Sequence, residues 1–488
     1  MNKYIIFIII TSAAFTSLVS CKKGFLDVPP TDSGDAANYV KTAADAKIAM
    51  NGIMRRMTSS SYYGRNFILY GDAKGGDLTV YSQGRGLDNL YTFNHAPSSG
   101  SYGDAWSAMY NVLLQANTLI KAIDDLKSGG STENFDMYKG QALTIRALVH
   151  FDLVRLYGQP YNEDKTALGV PTITTPLPAS AQPLRNKVED NYIQILKDLK
   201  DAEPLLPKTK SNGYINYYGN KALQARVYLF MGNNGDALTA AEEVIGATAL
   251  YSLYTPANWV SSWRAQFGSE SIFELGIHPA QNDLGNASLG AYLRAKGKGG
   301  SAILGWFGAS DYFLDRLNED PADVRWGVMD ADEISATRLG ACYKYSGSKD
   351  LLGDGKSTAT AVNIKVIRLS EMYLVAAEAA LPTNPLKAAN YLNEIRKRSP
   401  ALAPATELTV TLDMIMDEKS KELFGEGHRF FDMIRLNRSI TFNDEYIGAA
   451  ISHRPKTIDR TFFKTILPIS QGEINANPGL ADQQNQGY

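Results

Sequence analysis

The sequence contains little of the chemistry on which most enzymes and nucleic-acid-binding proteins depend. It has five histidines and two cysteines among 488 residues, and its formal net charge is −2. We find no metal-ligand spacing and no nucleophile-elbow, zinc-protease or phosphate-loop motif. A net charge this close to zero excludes the basic character of most nucleic-acid-binding domains. The sequence therefore predicts no catalytic residue, no metal, no cofactor and no nucleic-acid partner.

Long apolar runs are also scarce, whereas tyrosine is abundant. Beyond the first 21 residues, no apolar run reaches the length needed to span a membrane. The 27 tyrosines offer flat apolar rings with a polar tip, which suits either a wet binding surface or a tyrosine-rich helical core. The hydrophobic content of 44% is ordinary for a folded protein.

Helical periodicity dominates the middle of the chain. Trp106–Leu126 and Tyr138–Tyr157 are amphipathic, and Gly219–Thr248 and Ile367–Ser399 each read as two helices joined by a short turn. Small residues recur where the paired helices would cross, as in a tetratricopeptide repeat. Each pair buries its apolar face only by stacking on another pair. We therefore predict a mostly α fold, a solenoid of tetratricopeptide-like helix pairs.

Two segments break this pattern and form a predicted loop-rich, minor-β binding face. The first, Thr58–Gly103, is rich in Ser, Tyr, Gly and Asp. The second, Tyr251–Ala361, contains two stretches, Trp259–Trp263 and Glu270–Glu274, that look like short strand and turn elements. Irregular segments on a rigid scaffold commonly carry function. Part of the second segment, 349–361, has an aspartate-glycine spacing like that of a cation loop but lacks the later acid. The candidate ligand-binding residues of both segments are Trp306, Tyr81, Asp72, Asp77, Arg85 and Tyr63.

The stretch Lys421–Arg435 has regularly spaced charges. The spacing places acid and base on one face of a helix, and Gly425 and Gly427 allow a bend or a close helix crossing in the middle. Glu422 and Glu426 could form an acid–base pair, or Arg429 and Arg435 could neutralise them where helices meet. We favour the structural interpretation, because neighbouring arginines would lower the pKa of both glutamates, the wrong direction for a general acid. The residues of this structural signature are Glu422, Glu426, Arg429, Asp432 and Arg435.

The first residues form a targeting segment. Lys3 precedes a mostly apolar run, Tyr4–Phe15, and Leu18-Val19-Ser20-Cys21 resembles the lipobox of bacterial lipoproteins. Cleavage would leave Cys21 as an acylated N-terminus. The mature protein is then expected to be held at a membrane by lipid alone. Cys342 would have no disulfide partner and is expected to be a buried apolar residue.

Several stretches in their joint order resemble one family. They are FLD-x-P-P from Phe25, KALQARVYL from Lys221, IRLSEMYLVAAEA from Ile367, EL-F-GEGHRFFDMIR from Glu422, and the C-terminal N-P-G-L to Q-N-Q-G run. The sequence thereby resembles the SusD/RagB family of Bacteroidetes outer-membrane lipoproteins across nearly the whole mature chain.

The resemblance implies a domain organisation and a function. Residues 1–20 would be a signal peptide, 21–250 a SusD-like N-terminal region with the first repeats, and 251–488 the C-terminal region with the loop insertion, both in one compact unit. The expected function is non-catalytic binding of oligosaccharides or polysaccharide and delivery to a SusC-like TonB-dependent transporter. The expected location is the outer membrane, facing the extracellular side. A RagB-like peptide-binding lipoprotein is the alternative, and a glycoside hydrolase is a further one.

Overall fold

The described structure, a computed structural model, covers residues 39–301 and 303–488. The predicted signal peptide, Cys21 and the FLD-x-P-P stretch lie outside these residues. The longer helices are α1 (Ala43–Met57), α2 (Asn66–Ala73), α4 (Gly100–Ser128), α5 (Asp136–Tyr157), α7 (Val188–Ala202), α8 (Tyr217–Met231), α9 (Asn234–Ile245), α13 (Leu369–Ala380), α14 (Pro385–Arg396) and α15 (Leu412–Leu423). The shorter ones are α3 (Asp88–Thr92), α6 (Tyr161–Asp164), α10 (Pro256–Ser262), α11 (Leu289–Leu293), α12 (Asp311–Leu317), α16 (Arg429–Arg435) and α17 (Gln471–Ala476). Within this part of the chain, no helix has the length and apolar composition needed to cross a bilayer.

The predicted helix pairs are present, and the mostly helical fold is confirmed. Helix α8 ends at Gly232, which adopts a left-handed conformation, and α9 begins after Asn233, whose side chain accepts a hydrogen bond from the Asp236 backbone N–H. Helices α13 and α14 form the second pair, with Asn384 as the cap before Pro385. The pairs stack because α9 packs against α13. The alanines facing these contacts are buried and let the helices approach closely.

Strands are short and occur in two-stranded antiparallel ladders. The pairs in the described residues are β1 (Leu78–Val80) with β3 (Phe307–Ala309), β2 (Ser271–Leu275) with β6 (Ile364–Arg368), β4 (Met329–Asp330) with β5 (Ala341–Cys342), and β7 (Ile440–Thr441) with β8 (Thr457–Ile458). Two sequence expectations for the irregular segments were wrong. The stretch before Trp263 is helix α10, which begins at Pro256. The rings of Trp259 and Trp263 meet edge to face in the core, with their centroids 5.8 Å apart. Thr58–Gly103 is also more regular and more buried than predicted, since it contains α2, β1 and α3.

The Lys421–Arg435 stretch is not one continuous helix. Helix α15 ends at Leu423 and α16 begins at Arg429, and between them Gly425 and Gly427 have φ values of +79° and +82°. This conformation favours glycine. The bend also lets another segment approach closely: a Cβ on Gly71, in α2, would lie 2.1 Å from the Gly427 carbonyl oxygen. The predicted bend is therefore present, but it separates charges that the spacing had placed on one helical face.

The two signature glutamates are buried in an ionic network. Glu422 accepts a hydrogen bond from Arg368 Nη1 at 3.1 Å, and its second oxygen lies 3.1 Å from Arg398 Nε. Glu426 is held by Arg368 at 2.7 Å and by Lys344 at 3.0 Å. Burial alone would raise the pKa of Glu422, but the surrounding arginines lower it to about 2, and the pKa of Glu426 is also lowered. The pKa values of both glutamates are therefore lowered, as the sequence predicts. The predicted partners, Arg429 and Arg435, were wrong.

Those two arginines and Asp432 form other contacts. Arg435 forms ion pairs with Glu378 at 2.6 Å and with Asp432 at 2.7 Å. Asp432 also forms an ion pair with Lys419, at 2.9 Å. Arg429 donates to the Met416 carbonyl at 3.2 Å. The stretch thus joins α13, α15 and α16 through buried charges that are compensated, which supports its structural interpretation. Cys342 is buried, as expected, and burial raises the pKa of its thiol to about 11.

Candidate ligand-binding ledge

The pairing of β1 with β3 brings the two irregular segments together. In this antiparallel ladder Leu78 faces Ala309 and Val80 faces Phe307. The next residues along the chain, Tyr81 after β1 and Trp306 before β3, therefore meet at the same end of the ladder. The sequence assigned both segments to the binding face but contained no indication that these strands pair.

Trp306 is held in a fixed position while part of its ring remains accessible. The ring packs edge to face against Tyr292 of α11, with centroids 5.2 Å apart and an interplanar angle of 82°. On another side the backbone of Gly86 approaches it closely, because a Cβ there would lie 2.9 Å from Trp306 Cζ3. Trp306 is half-buried as a result. Rigid, partly exposed aromatic rings of this kind provide binding surfaces with little loss of conformational entropy on contact.

Charged side chains border this ring. The Arg65 guanidinium lies 4.7 Å from the centre of the Tyr292 ring, and its Nη1 donates to the Tyr292 hydroxyl at 2.9 Å. Partial burial lowers the pKa of Arg65, which still remains charged at neutral pH. Arg85 is partly exposed, with 27% of its side chain accessible, and pairs with Glu333. We call Arg65, Arg85, Tyr292 and Trp306 the ledge.

Tyr81 is buried beside the ledge and is not part of its exposed surface. Its side chain is buried, and its hydroxyl donates to Asp332 Oδ2 at 3.1 Å. Asp332 is also ion-paired with Arg338. Burial and the adjacent carboxylate raise the pKa of Tyr81 well above its usual value. The expectation that Tyr81 is an exposed stacking ring was therefore wrong: the strand pairing that places it beside Trp306 also covers it.

The other three candidates tie the N-terminal segment to the scaffold. The Tyr63 hydroxyl donates to Asp152 at 2.8 Å, Asp72 accepts from the Gly427 backbone N–H at 3.1 Å, and Asp77 accepts from Ser420 Oγ at 2.6 Å. All three candidates are buried, so none is open to a ligand in this structure. Of the six candidates, Trp306 and Arg85 are partly exposed and the other four are buried.

Sequence reasoning missed Arg65 and Tyr292. Arg65 lies in a tyrosine- and glycine-rich run, and Tyr292 lies in a helix of five residues that is too short to show periodicity. No sequence pattern identifies either as part of a site, because their proximity depends on the contact between distant segments. In the cation-like loop, both Asp354 oxygens instead accept from Lys356 Nζ, at 2.8 and 2.9 Å. Among the described residues, no cluster of three or more His, Cys, Asp or Glu has metal-binding geometry.

Comparisons with known proteins agree along most of the chain. A model described as the SusD family matches residues 321–488, and one described as starch-binding associating with outer membrane matches residues 25–229. A SusD superfamily structure from Bacteroides thetaiotaomicron is 33% identical, covers 91% of this chain and 100% of its own, and superposes with a TM-score of 0.83. SusD-like protein P38 of Formosa agariphila is 24% identical over 90% of this chain and 92% of its own length. A laminarin-binding SusD-like structure, 23% identical with a TM-score of 0.71, covers 92% of this chain and 100% of its own and shares the fold.

Proposed function

Because the chain belongs to the SusD/RagB family, we propose that it is a non-catalytic carbohydrate-binding protein of the outer membrane that captures oligosaccharides on the Trp306 ledge. The family models support both carbohydrate binding and outer-membrane association. One relative in the curated set is named a starch-binding protein, and one structural neighbour is named laminarin-binding. The proposal assigns the same broad class of ligand to this chain.

The observation that carries the proposal is that Trp306 is partly exposed while its ring is held by Tyr292 and Gly86. Sugar rings present patches of C–H groups that pack on aromatic faces, and their hydroxyls pair with polar groups at the edge of such a face. Arg65 lies over Tyr292, which packs on Trp306, and Arg85 is the neighbour in sequence of Gly86, whose backbone approaches the ring; each guanidinium offers several N–H groups. Tyr292 and Gly86 hold the ring in place before any ligand arrives, which reduces the entropic cost of binding.

The electrostatics of the signature support binding without catalysis. Glycoside hydrolysis requires a carboxyl group with a raised pKa facing the substrate. Glu422 and Glu426 form the only motif-like acid pair in the sequence, and both have lowered pKa values. Both are also buried within the helical scaffold. Their charges stabilise the fold and are not accessible to a sugar.

We further propose that lipid on Cys21 anchors the protein on the extracellular side, and that it passes its ligand to a SusC-like TonB-dependent transporter. The lipobox-like sequence before Cys21 supports the anchor. A Cys21→Ala variant should be released from the outer-membrane fraction into soluble material. Co-purification of a SusC-like transporter with the tagged wild-type protein, expressed in its native host, tests the partnership. Absence of such a transporter after mild detergent extraction would contradict that part of the proposal.

The binding proposal is tested with purified protein, a glycan and peptide array, and calorimetry. Trp306→Ala should reduce oligosaccharide affinity about two- to tenfold, since an aromatic contact contributes about 0.5–1.5 kcal/mol, while the melting temperature stays within about 1 °C. Trp326→Ala is the matched control, because Trp326 is also half-buried but lies outside the ledge. Equal loss of binding and stability would make Trp306 a core residue. Peptide binding without glycan binding would establish the RagB-like alternative.

A further inference from the structure

We propose that the ledge selects acidic carbohydrates, whose sugars carry a carboxylate or a sulfate ester, and that Arg65, Lys296 and Arg294 provide the complementary positive charge. This inference rests on the proposed carbohydrate binding and specifies its ligand class. It derives from three cations on the segments that adjoin Trp306, none of which has a carboxylate partner among the described residues.

Arg294 is the most unusual of these cations. Its side chain is 2% exposed, yet no described carboxylate lies within ion-pairing distance. Its two hydrogen bonds, to Ser346 Oγ and to the Ala359 carbonyl, are both long at 3.4 Å, and its Nε has no hydrogen-bond partner. A buried charge that is neither paired nor well hydrogen-bonded is costly to the fold. Such a group is more often retained for a ligand than for stability.

Other buried arginines of this protein show what full compensation looks like. Arg398 lies 2.7 Å from Glu270 and 3.1 Å from Glu422. Arg185 has no carboxylate partner but donates to four backbone carbonyls at 2.5 to 2.8 Å. Arg294 has neither arrangement. The difference indicates that the charge of Arg294 is not neutralised within the described residues and can attract an anionic ligand through its field.

A glycine-rich loop connects Arg294 to the ledge. Gly297, Gly299 and Gly300 all have positive φ values, and the Cβ position of Gly299 is 3.7 Å from Arg294 Cζ. The loop therefore covers the guanidinium at this point without a side chain of its own. It returns directly to Trp306, since a Cβ on Gly305 would lie 2.5 Å from the Lys296 backbone nitrogen. Arg294 and Trp306 are therefore linked through this short loop, so the charge of Arg294 adds to the positive potential of the same segment.

The remaining charges of this surface do not cancel. Arg85 is paired with Glu333, and Lys298 lies 3.7 Å from Asp330. Lys296 is exposed on the loop and has no ion-pair partner among the described residues. Arg65 donates to Asn66 and Tyr292 and likewise contacts no described carboxylate. Arg65, Arg294 and Lys296 thus have no carboxylate partner among the described residues, which matches an anionic ligand better than a neutral one.

The test compares three oligosaccharides by calorimetry on the full mature protein: an oligogalacturonide with carboxylates, a sulfated carrageenan oligosaccharide, and a neutral laminarin oligosaccharide. We expect at least one acidic ligand to bind more tightly than laminarin, with an affinity that falls as NaCl rises from 50 to 300 mM, because salt screens the attraction. The two acidic ligands distinguish carboxylate from sulfate, and binding of either supports the proposal.

Charge-removing variants locate the effect. Arg65→Gln should weaken the acidic ligand about tenfold, as expected for a hydrogen bond to a charged group, and exposed Lys296→Gln about two- to fivefold. Arg294→Gln should weaken it roughly threefold through the lost field. Lys197→Gln, on exposed α7 surface, is the matched control and should change nothing. Should Arg294→Gln fail to fold, Arg65→Gln and Lys296→Gln still decide the question.

Two results would overturn the inference in different ways. Tight binding of laminarin that is independent of salt and of Lys296 would refute the charge selection while leaving the carbohydrate-binding proposal intact. Failure of all three oligosaccharides, together with binding of an acidic peptide, would refute both.

Discussion

Removing one negative charge from the buried ionic network should destabilise this protein measurably. We choose Glu422→Gln, because glutamine keeps the volume of the side chain and one carbonyl acceptor but loses the charge. In the native protein Glu422 also accepts from Trp259 Nε1 at 3.2 Å and lies 3.7 Å from Arg325. The substitution therefore leaves three arginines competing for fewer carboxylates in a region closed to water.

The size of the effect follows from this geometry. Breaking a buried ion pair by neutralising one partner costs about 3–5 kcal/mol. For a chain of 488 residues the unfolding entropy is about 1 kcal/mol per kelvin, so each kcal/mol lowers the melting temperature by about 1 °C. We expect the melting temperature to fall by about 3–5 °C, measured by differential scanning calorimetry at pH 7 and fixed ionic strength.

The control is Glu394→Gln, which removes a carboxylate from an exposed pair with Lys397 on the surface of α14. Exposed pairs contribute about 0–1 kcal/mol, so this variant should melt within about 1 °C of the wild type. If Glu422→Gln melted as high as the wild type, or higher, the network would not stabilise the fold as described here. Oligosaccharide binding should be the same in both variants.

Three further predictions concern stability. Because the pKa of Glu422 is about 2 in the fold against a usual 4.5, its contribution is complete above pH 4.5 and is lost as pH falls towards 2; the melting temperature of Glu422→Gln should therefore vary less with pH in that window. Gly71→Ala should prevent stable folding, because the added Cβ would lie 2.1 Å from the Gly427 carbonyl oxygen. In Gly235→Ala the added Cβ meets nothing within 4 Å, so this variant should stabilise α9 by about 0.5–1 kcal/mol. Expression level and melting temperature are measured for both variants. Arg294→Gln should leave the melting temperature unchanged or raise it, because it removes an uncompensated buried charge, and a drop of several degrees would contradict that description of the site.

Local patterns determined the scaffold. The helix pairs α8–α9 and α13–α14 were predictable because apolar spacing, small residues and the turn residues Gly232 and Asn384 are all read within a few residues of one another. The same holds for the positions of the two irregular segments, where the helical period disappears. The sequence also left the exposure of Trp306 open, and only the structure shows that this residue is half-buried.

Tertiary structure alone decided which residues meet. Arg368 and Arg398, the partners of Glu422, are more than twenty residues from it. The spacing had instead pointed to arginines of the same stretch, which the bend at Gly425 and Gly427 directs elsewhere. Likewise, the pairing of β1 with β3 joins segments more than two hundred residues apart, covers Tyr81 and places Trp306 against Tyr292. Periodicity reports how a segment folds on itself, but ion pairing and strand pairing depend on the whole chain, because any buried charge or strand edge takes the partner that the global packing provides.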